Sequence, residues 1–244
     1  MGEAADVGLG RVPGPMANGD ASITVGYPAL FRLLDRHRLR ATFFIEGWNG
    51  LHHPESVREI VEREHELGMH GWVHETWRDL DPLPERDLAA RATDALEKAS
   101  GTRPRGFRAP GGARTASTEN ILLDLGYRYD ASLGDGMKPQ VLASGLAQVP
   151  FRWAGVDGFH YLASDPPPAP ETVRDLWLEA LRRTIDRGGL FVTVCHAFVT
   201  GVDERRMAAL EAVVEAAVHE ERVHVCTLGE VAERLLAARR ESTL

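Results

Sequence analysis

The 244-residue chain has no apolar run approaching the ~20 residues that a membrane-spanning helix needs. Its start also lacks the basic-then-apolar pattern of a secretory leader, so the cytoplasm is the expected address. Cysteine is scarce: Cys195 and Cys226 are the only two, each in an apolar, strand-like run where a thiol packs as a small hydrophobe. No disulfide scaffold is indicated. There is no unopposed block of Lys and Arg either, since 28 basic residues face 36 acidic ones and the formal net charge is −8. Nucleic acid is therefore not an expected partner, because its recognition needs a clustered basic footprint.

What the chain does contain is the composition of an ordinary globular protein, 43% apolar and 26% charged. Its length suits one sizeable core. Residues 1–22 are rich in Gly, Ala and Pro without apolar period and are expected to form a flexible arm, leaving 23–240 as a single domain. Tyr27, Leu30, Phe31 and Leu34 recur at helical spacing, and the run at 41–45 is short, apolar and strand-like. Helices are expected near 55–65 and 85–99, around Ile121 to Leu125, over Val173 to Ile185, around Met207 to Val214, and from about Glu230. Strands are expected near 67–72, 106–109, 127–131, 148–153, 190–195 and 223–226. About seven strands alternating with helices predict an α/β fold with a mainly parallel sheet or barrel, active residues lying at the carboxyl ends of strands. A βα repeat opens with a strand, whereas this chain opens with a loop and a helix, so a first strand is expected to be missing.

His70 and His74 stand four residues apart where a short strand gives way to a polar turn. If the backbone turns helically there, both imidazoles share one face and reach a single ion at ~2.0–2.1 Å. On spacing alone, a chance pair among ten histidines fits as well. His196 follows the apolar run 190–195, which should bring it out at the carboxyl end of a core strand.

Five segments, in order, resemble the motifs of the NodB-homology polysaccharide deacetylases, carbohydrate esterase family 4. They are Ala41-Thr42-Phe43-Phe44-Ile45, His65 through Glu75, Arg108-Ala109-Pro110, Tyr127 through Ser132, and Val194-Cys195-His196. The resemblance runs from about residue 24 to the C-terminus and looks closer to the cytoplasmic, peptidoglycan deacetylase-like branch than to secreted chitin deacetylases. It implies a deformed (β/α) barrel holding a divalent metal, with zinc the usual ion, through one Asp and two His. By this resemblance His70 and His74 are metal ligands and His196 is the general acid, while Arg108 and Asp130 form a charged pair that orients the catalytic groups. An ordinary structural ion pair is the alternative for Arg108 and Asp130. Trp72, Pro110, Gly111 and Trp153 are expected to touch substrate.

The family's first motif carries two acidic residues, one a metal ligand and one the base. Counted back from Ala41, it should fall at or just before Met1, and neither residue is visible. A late start codon or a truncated gene is the expectation, with Asp6 or Asp20 as a possible substitute. Three functions remain open: N-deacetylation of an amino sugar, hydrolysis of a small linear or cyclic amide, and a non-catalytic barrel that binds a carbohydrate or a partner protein.

Overall fold

The computed structural model describes residues 21–134, 138–163 and 165–241. In chain order the elements are α1 (Tyr27–His37), β1 (Thr42–Ile45), α2 (Gly47–His52), α3 (Pro54–Glu62), β2 (Glu66–Met69), α4 (Pro82–Ser100) and β3 (Gly106–Phe107). There follow α5 (Thr118–Asp124), β4 (Tyr129–Asp130), β5 (Gln140–Val141), β6 (Ala147–Gln148), α6 (Asp157–Tyr161), α7 (Pro170–Arg187), α8 (Glu204–Val218) and α9 (Leu228–Glu241). They group into two compact units, one of residues 40–150 with 226–241 and the other of residues 21–39 with 151–225.

The first unit holds a six-stranded sheet of order β1-β2-β3-β4-β6-β5, parallel except for the β5–β6 pair. The parallel α/β reading holds, with three corrections. The described strands number six rather than seven, the edge strand β5 is antiparallel, and the ladder does not close on itself. The strands are short and their runs dense in apolar residues, as expected where helices cover a parallel sheet. Met69 and Phe107, paired in register, are fully buried. Helix α3 buries Val57 and Ile60, and α4 buries Ala89, Ala92, Leu96 and Ala99, which are faces spaced at three and four residues. Fully burying Ile60 or Leu96 stabilises the fold by about 1.5–3 kcal/mol each. Gly106 is required by its neighbour: a Cβ there would lie 2.1 Å from Tyr129 Cζ. Helix α9 is tied to the amino end of the sheet, where Glu66 accepts the Gly229 N–H at 2.9 Å and the Tyr129 hydroxyl at 2.8 Å.

In the second unit α1 buries Tyr27, Leu30, Phe31 and Leu33. Leu33 takes the inward position expected of Leu34. Among the described residues helical backbone is already present at Ala21, so the last two residues assigned to a flexible arm are ordered; the rest of that arm, 1–20, lies outside the described residues. The strands expected at 190–195 and 223–226 are absent. The first keeps one bridge, Val156 with Val194, closed by Val194 N–H to Gly155 O at 2.8 Å and Asp157 N–H to Val194 O at 2.9 Å. A β-branched run becomes a strand only where a neighbour supplies the ladder, and Val225 is left 38% exposed.

Candidate active site

Parallel strands end side by side, so residues just beyond them share one rim of the sheet. The N–H of His70 donates to Ile45 O at 2.9 Å, that of Arg108 to Met69 O at 3.0 Å, and that of Ala131 to Phe107 O at 2.7 Å. His70, Arg108 and Asp130 thus occupy the carboxyl ends of β2, β3 and β4, as the strand rhythm predicted.

His70 Nδ1 lies 2.7 Å from the Arg108 carbonyl oxygen, which fixes Nδ1 as the protonated nitrogen and leaves Nε2 with its lone pair. Burial holds the His70 pKa well below the usual imidazole value; the charge of His74 adds to this and the Arg108 carbonyl opposes it. A neutral ring is the form that binds metal. The His74 ring stands edge-on to His70, centroids 4.9 Å apart. The helical turn expected between them does not form. Residues 71–73 make a tight turn, and His74 takes the left-handed conformation at φ 60°, one that non-glycine residues hold only where the surroundings impose it. The Glu75 carboxylate supplies part of that restraint, accepting the N–H groups of Trp72 and Val73 at 2.9 and 2.8 Å. Gly71, at φ 73°, lets the turn lie against the next loop; a Cβ there would sit 2.9 Å from Pro110 Cγ. Beside the turn is a hollow of about 210 Å³ lined by His74, Glu75, Thr76, Arg78, Pro110 and Gly111.

Two imidazoles so arranged fit a shared cation as two of its ligands. Among the described residues, no Asp, Glu or Cys completes a three-ligand group around them. Asp6, one of the two possible substitutes, and Asp20 both lie outside the described residues.

Asp130 is fully buried. Its Oδ1 accepts the Ser132 hydroxyl at 2.6 Å and N–H at 3.0 Å. Desolvation raises its pKa, partly offset by Ser132 and then by Arg114. The ion pair within 4 Å is made by Arg114, Nε at 3.5 Å from Oδ2; Arg108 influences Asp130 as a less dominant charge. Arg108 donates its Nε–H to Ala131 O at 2.9 Å, lies 4.5 Å over the Phe44 ring, and is lowered by burial to a pKa of about 10. The expected Arg108–Asp130 pair is therefore a cluster in which Arg114 is the nearer cation. Nothing in the sequence pattern singles Arg114 out.

In the unit of 21–39 and 151–225, His196 Nδ1 lies 2.5 Å from Asp157 Oδ1, and Asp157 is fully buried. The same carboxylate accepts the His196 N–H at 2.7 Å, the Gly158 N–H at 2.6 Å and the Thr200 hydroxyl at 2.7 Å. This dyad fixes the proton on Nδ1 and leaves Nε2 to exchange one with a ligand. Asp157 escaped the sequence reading; an acid between apolar residues at the start of a five-residue helix was its only signal. Of the residues expected to touch substrate, Pro110 and Gly111 line the hollow, and Trp153 keeps a 41% exposed indole packed edge-on against Phe151. Trp72 differs: it is buried, with the Arg91 guanidinium 3.8 Å over its ring, and its indole serves packing.

Residues 17–129 match the family model described as polysaccharide deacetylase. A peptidoglycan deacetylase of Helicobacter pylori is 31% identical over 121 residues, which is 50% of this chain and 41% of the relative. The chain thus matches less than half the length of that relative. Among solved structures, a Mycobacterium smegmatis protein named as a candidate polysaccharide deacetylase superposes with a TM-score of 0.90 at 29% identity, over 97% of this chain and 88% of that one. The Puue allantoinase shares the fold, with a TM-score of 0.82 at 19% identity over 91% and 77% of the two chains.

Proposed function

As a relative of the polysaccharide deacetylases in both sequence and fold, the chain is, we propose, a metal-dependent hydrolase of C–N amide bonds that removes the N-acetyl group of an amino sugar in a glycan or glycosylated metabolite. The observation that carries this reading is the pair of imidazoles at the end of β2, rings 4.9 Å apart, with His70 held neutral and its Nδ1 occupied. His70 and His74 would hold a divalent ion, zinc first because imidazole and an open position suit it. When bound, such an ion supplies Lewis acidity toward the amide carbonyl and toward water.

The chain's own groups account for the remaining needs. Amide cleavage expels an amine, which must gain a proton; His196, oriented by Asp157, delivers it from Nε2. Asp130, with Arg114 and Arg108 near it, supports the rim from which Arg108 feeds its carbonyl to His70. Pro110 and Gly111 would bound the acetamido group, and the exposed face of Trp153 would meet a sugar ring. Trp72 would support the turn from behind. Among the described residues no helix is long and apolar enough to cross a membrane.

Acetate release from N-acetylglucosamine oligomers, measured with and without added zinc and after chelation, tests the proposal. Zinc-dependent release that disappears in His74→Ala supports it. Hydrolysis confined to small amides would move the substrate, and sugar binding by a metal-free, inactive protein would overturn the enzyme reading.

A further inference from the structure

Glu85 is fully buried in the first turn of α4, yet among the described residues none of its partners is a cation. Its Oε1 accepts the Trp77 indole N–H at 2.9 Å and the Thr118 hydroxyl, and its Oε2 accepts the Thr115 hydroxyl at 2.6 Å. The network closes on itself: Trp77 Nε1 also reaches Thr118 Oγ1 at 3.2 Å, and the Thr115 N–H donates to Thr118 Oγ1 at 3.0 Å. A buried carboxylate bound only by neutral donors is a poor stability device, since an apolar group of similar volume often serves as well or better. What it does provide is geometry. Trp77 lies three residues beyond His74, and Thr115 lies three beyond Gly112, so one carboxylate joins the loop leaving β2 to the loop leaving β3. Those two loops supply the walls of the hollow beside His74. They also touch where His70 Nδ1 meets Arg108 O and where Gly71 lies against Pro110, and Glu85 ties them at the far end.

We propose that Glu85 is a positioning residue that sets the separation of the two loops and thereby holds His74, in its left-handed conformation, facing His70. This rests on the reading of that pair as a metal site. A group that orients a ligand without touching the ion commonly changes metal affinity by about 10- to 100-fold when removed.

The test uses the full chain stripped of metal, with Glu85→Leu, Glu85→Gln and the milder Thr115→Val. Zinc affinity is read by competition with a chromogenic chelator, and the metal-free His74 ring resonances are read by NMR. With circular dichroism unchanged, Glu85→Leu should weaken zinc at least about tenfold and broaden or split the His74 signals. Glu85→Gln, which keeps an acceptor for Trp77, should stay near wild type, and Thr115→Val should fall between. If Glu85→Leu does not fold, Thr115→Val decides by the same two readouts. Folded variants with unchanged zinc affinity and unchanged His74 resonances would overturn the proposal. Should His74→Ala bind zinc as tightly as wild type, the metal reading fails separately, and the His74 resonances in Glu85→Leu still decide the clamp.

Discussion

Asp157 holds His196 at two points, the ring Nδ1 at 2.5 Å and the backbone N–H at 2.7 Å, so a single buried carboxylate fixes both the tautomer and the position of the ring. Replacing Asp157 by Asn turns an acceptor toward Nδ1 into a donor and favours the other tautomer, whose Nε2 already carries its proton as a neutral donor. Turnover should fall by about 10²- to 10⁴-fold, the usual worth of a positioned acid or base, while the fold persists. Nitrogen NMR of the imidazole together with kcat checks this; unchanged turnover with the tautomer reversed would remove His196 from the chemistry.

His70→Ala and His74→Ala should each abolish stoichiometric zinc binding while leaving the unfolding midpoint of the metal-free protein nearly unchanged for His74, which is exposed. His70 is half-buried and bonded to Arg108 O, so its loss should also lower the midpoint. Metal analysis of dialysed protein and thermal unfolding with chelator present read the two effects apart.

Burial raises the Asp130 pKa, so the folded protein holds that proton more tightly than the unfolded chain. The contribution to stability is then full below the unfolded pKa and is lost as pH rises through the folded value. Asp130→Asn keeps the oxygen that accepts from Ser132 and escapes this loss. Its unfolding midpoint relative to wild type should improve as pH rises above the ordinary carboxylate value of 3.8, although activity declines. A difference that stays flat over that rise would contradict the assignment.

Gly71→Ala places a Cβ 2.9 Å from Pro110 Cγ at a backbone φ of 73°. It should cost about 1–3 kcal/mol in stability and weaken zinc, because the turn between the two histidines must open. Denaturant unfolding and chelator competition on the same samples would show both losses together.

Trp153→Ala removes an exposed ring that no catalytic group needs. KM for an oligomeric sugar should rise about tenfold, the equivalent of 1.4 kcal/mol, with kcat nearly constant, as for a contact made equally in ground and transition states. A small amide substrate should be indifferent to the change.

Periodicity carried most of the fold. The helices around Val57 and Ile60, along α4, and from Val173 to Ile185 came from apolar spacing, and the strands that start at 42, 66 and 106 came, within one residue, from the short apolar runs starting at 41, 67 and 106. The runs at 190–195 and 223–226 were misread because strand propensity says nothing about whether a partner strand lies alongside. The antiparallel β5 has only two residues, too few to leave a pattern. His70, His74 and His196 stood out as candidates through the four-residue spacing of the first two and through the motifs that resemble the deacetylase family. Asp157, Arg114 and Glu85 did not, since an acid or an arginine becomes significant only through what folding sets beside it.

By itself the sequence indicated most of the helices, a mainly parallel sheet and the imidazole pair, because these follow from the local periods of apolar residues and from short-range spacing. Tertiary structure alone decided that His74 would sit at φ 60° rather than in a helix, that Arg114 would stand nearer to Asp130 as its cation, and that Asp157 would orient His196 from 39 residues away. Each of these depends on groups distant in the chain meeting at atomic range, a matter of packing that no local pattern encodes.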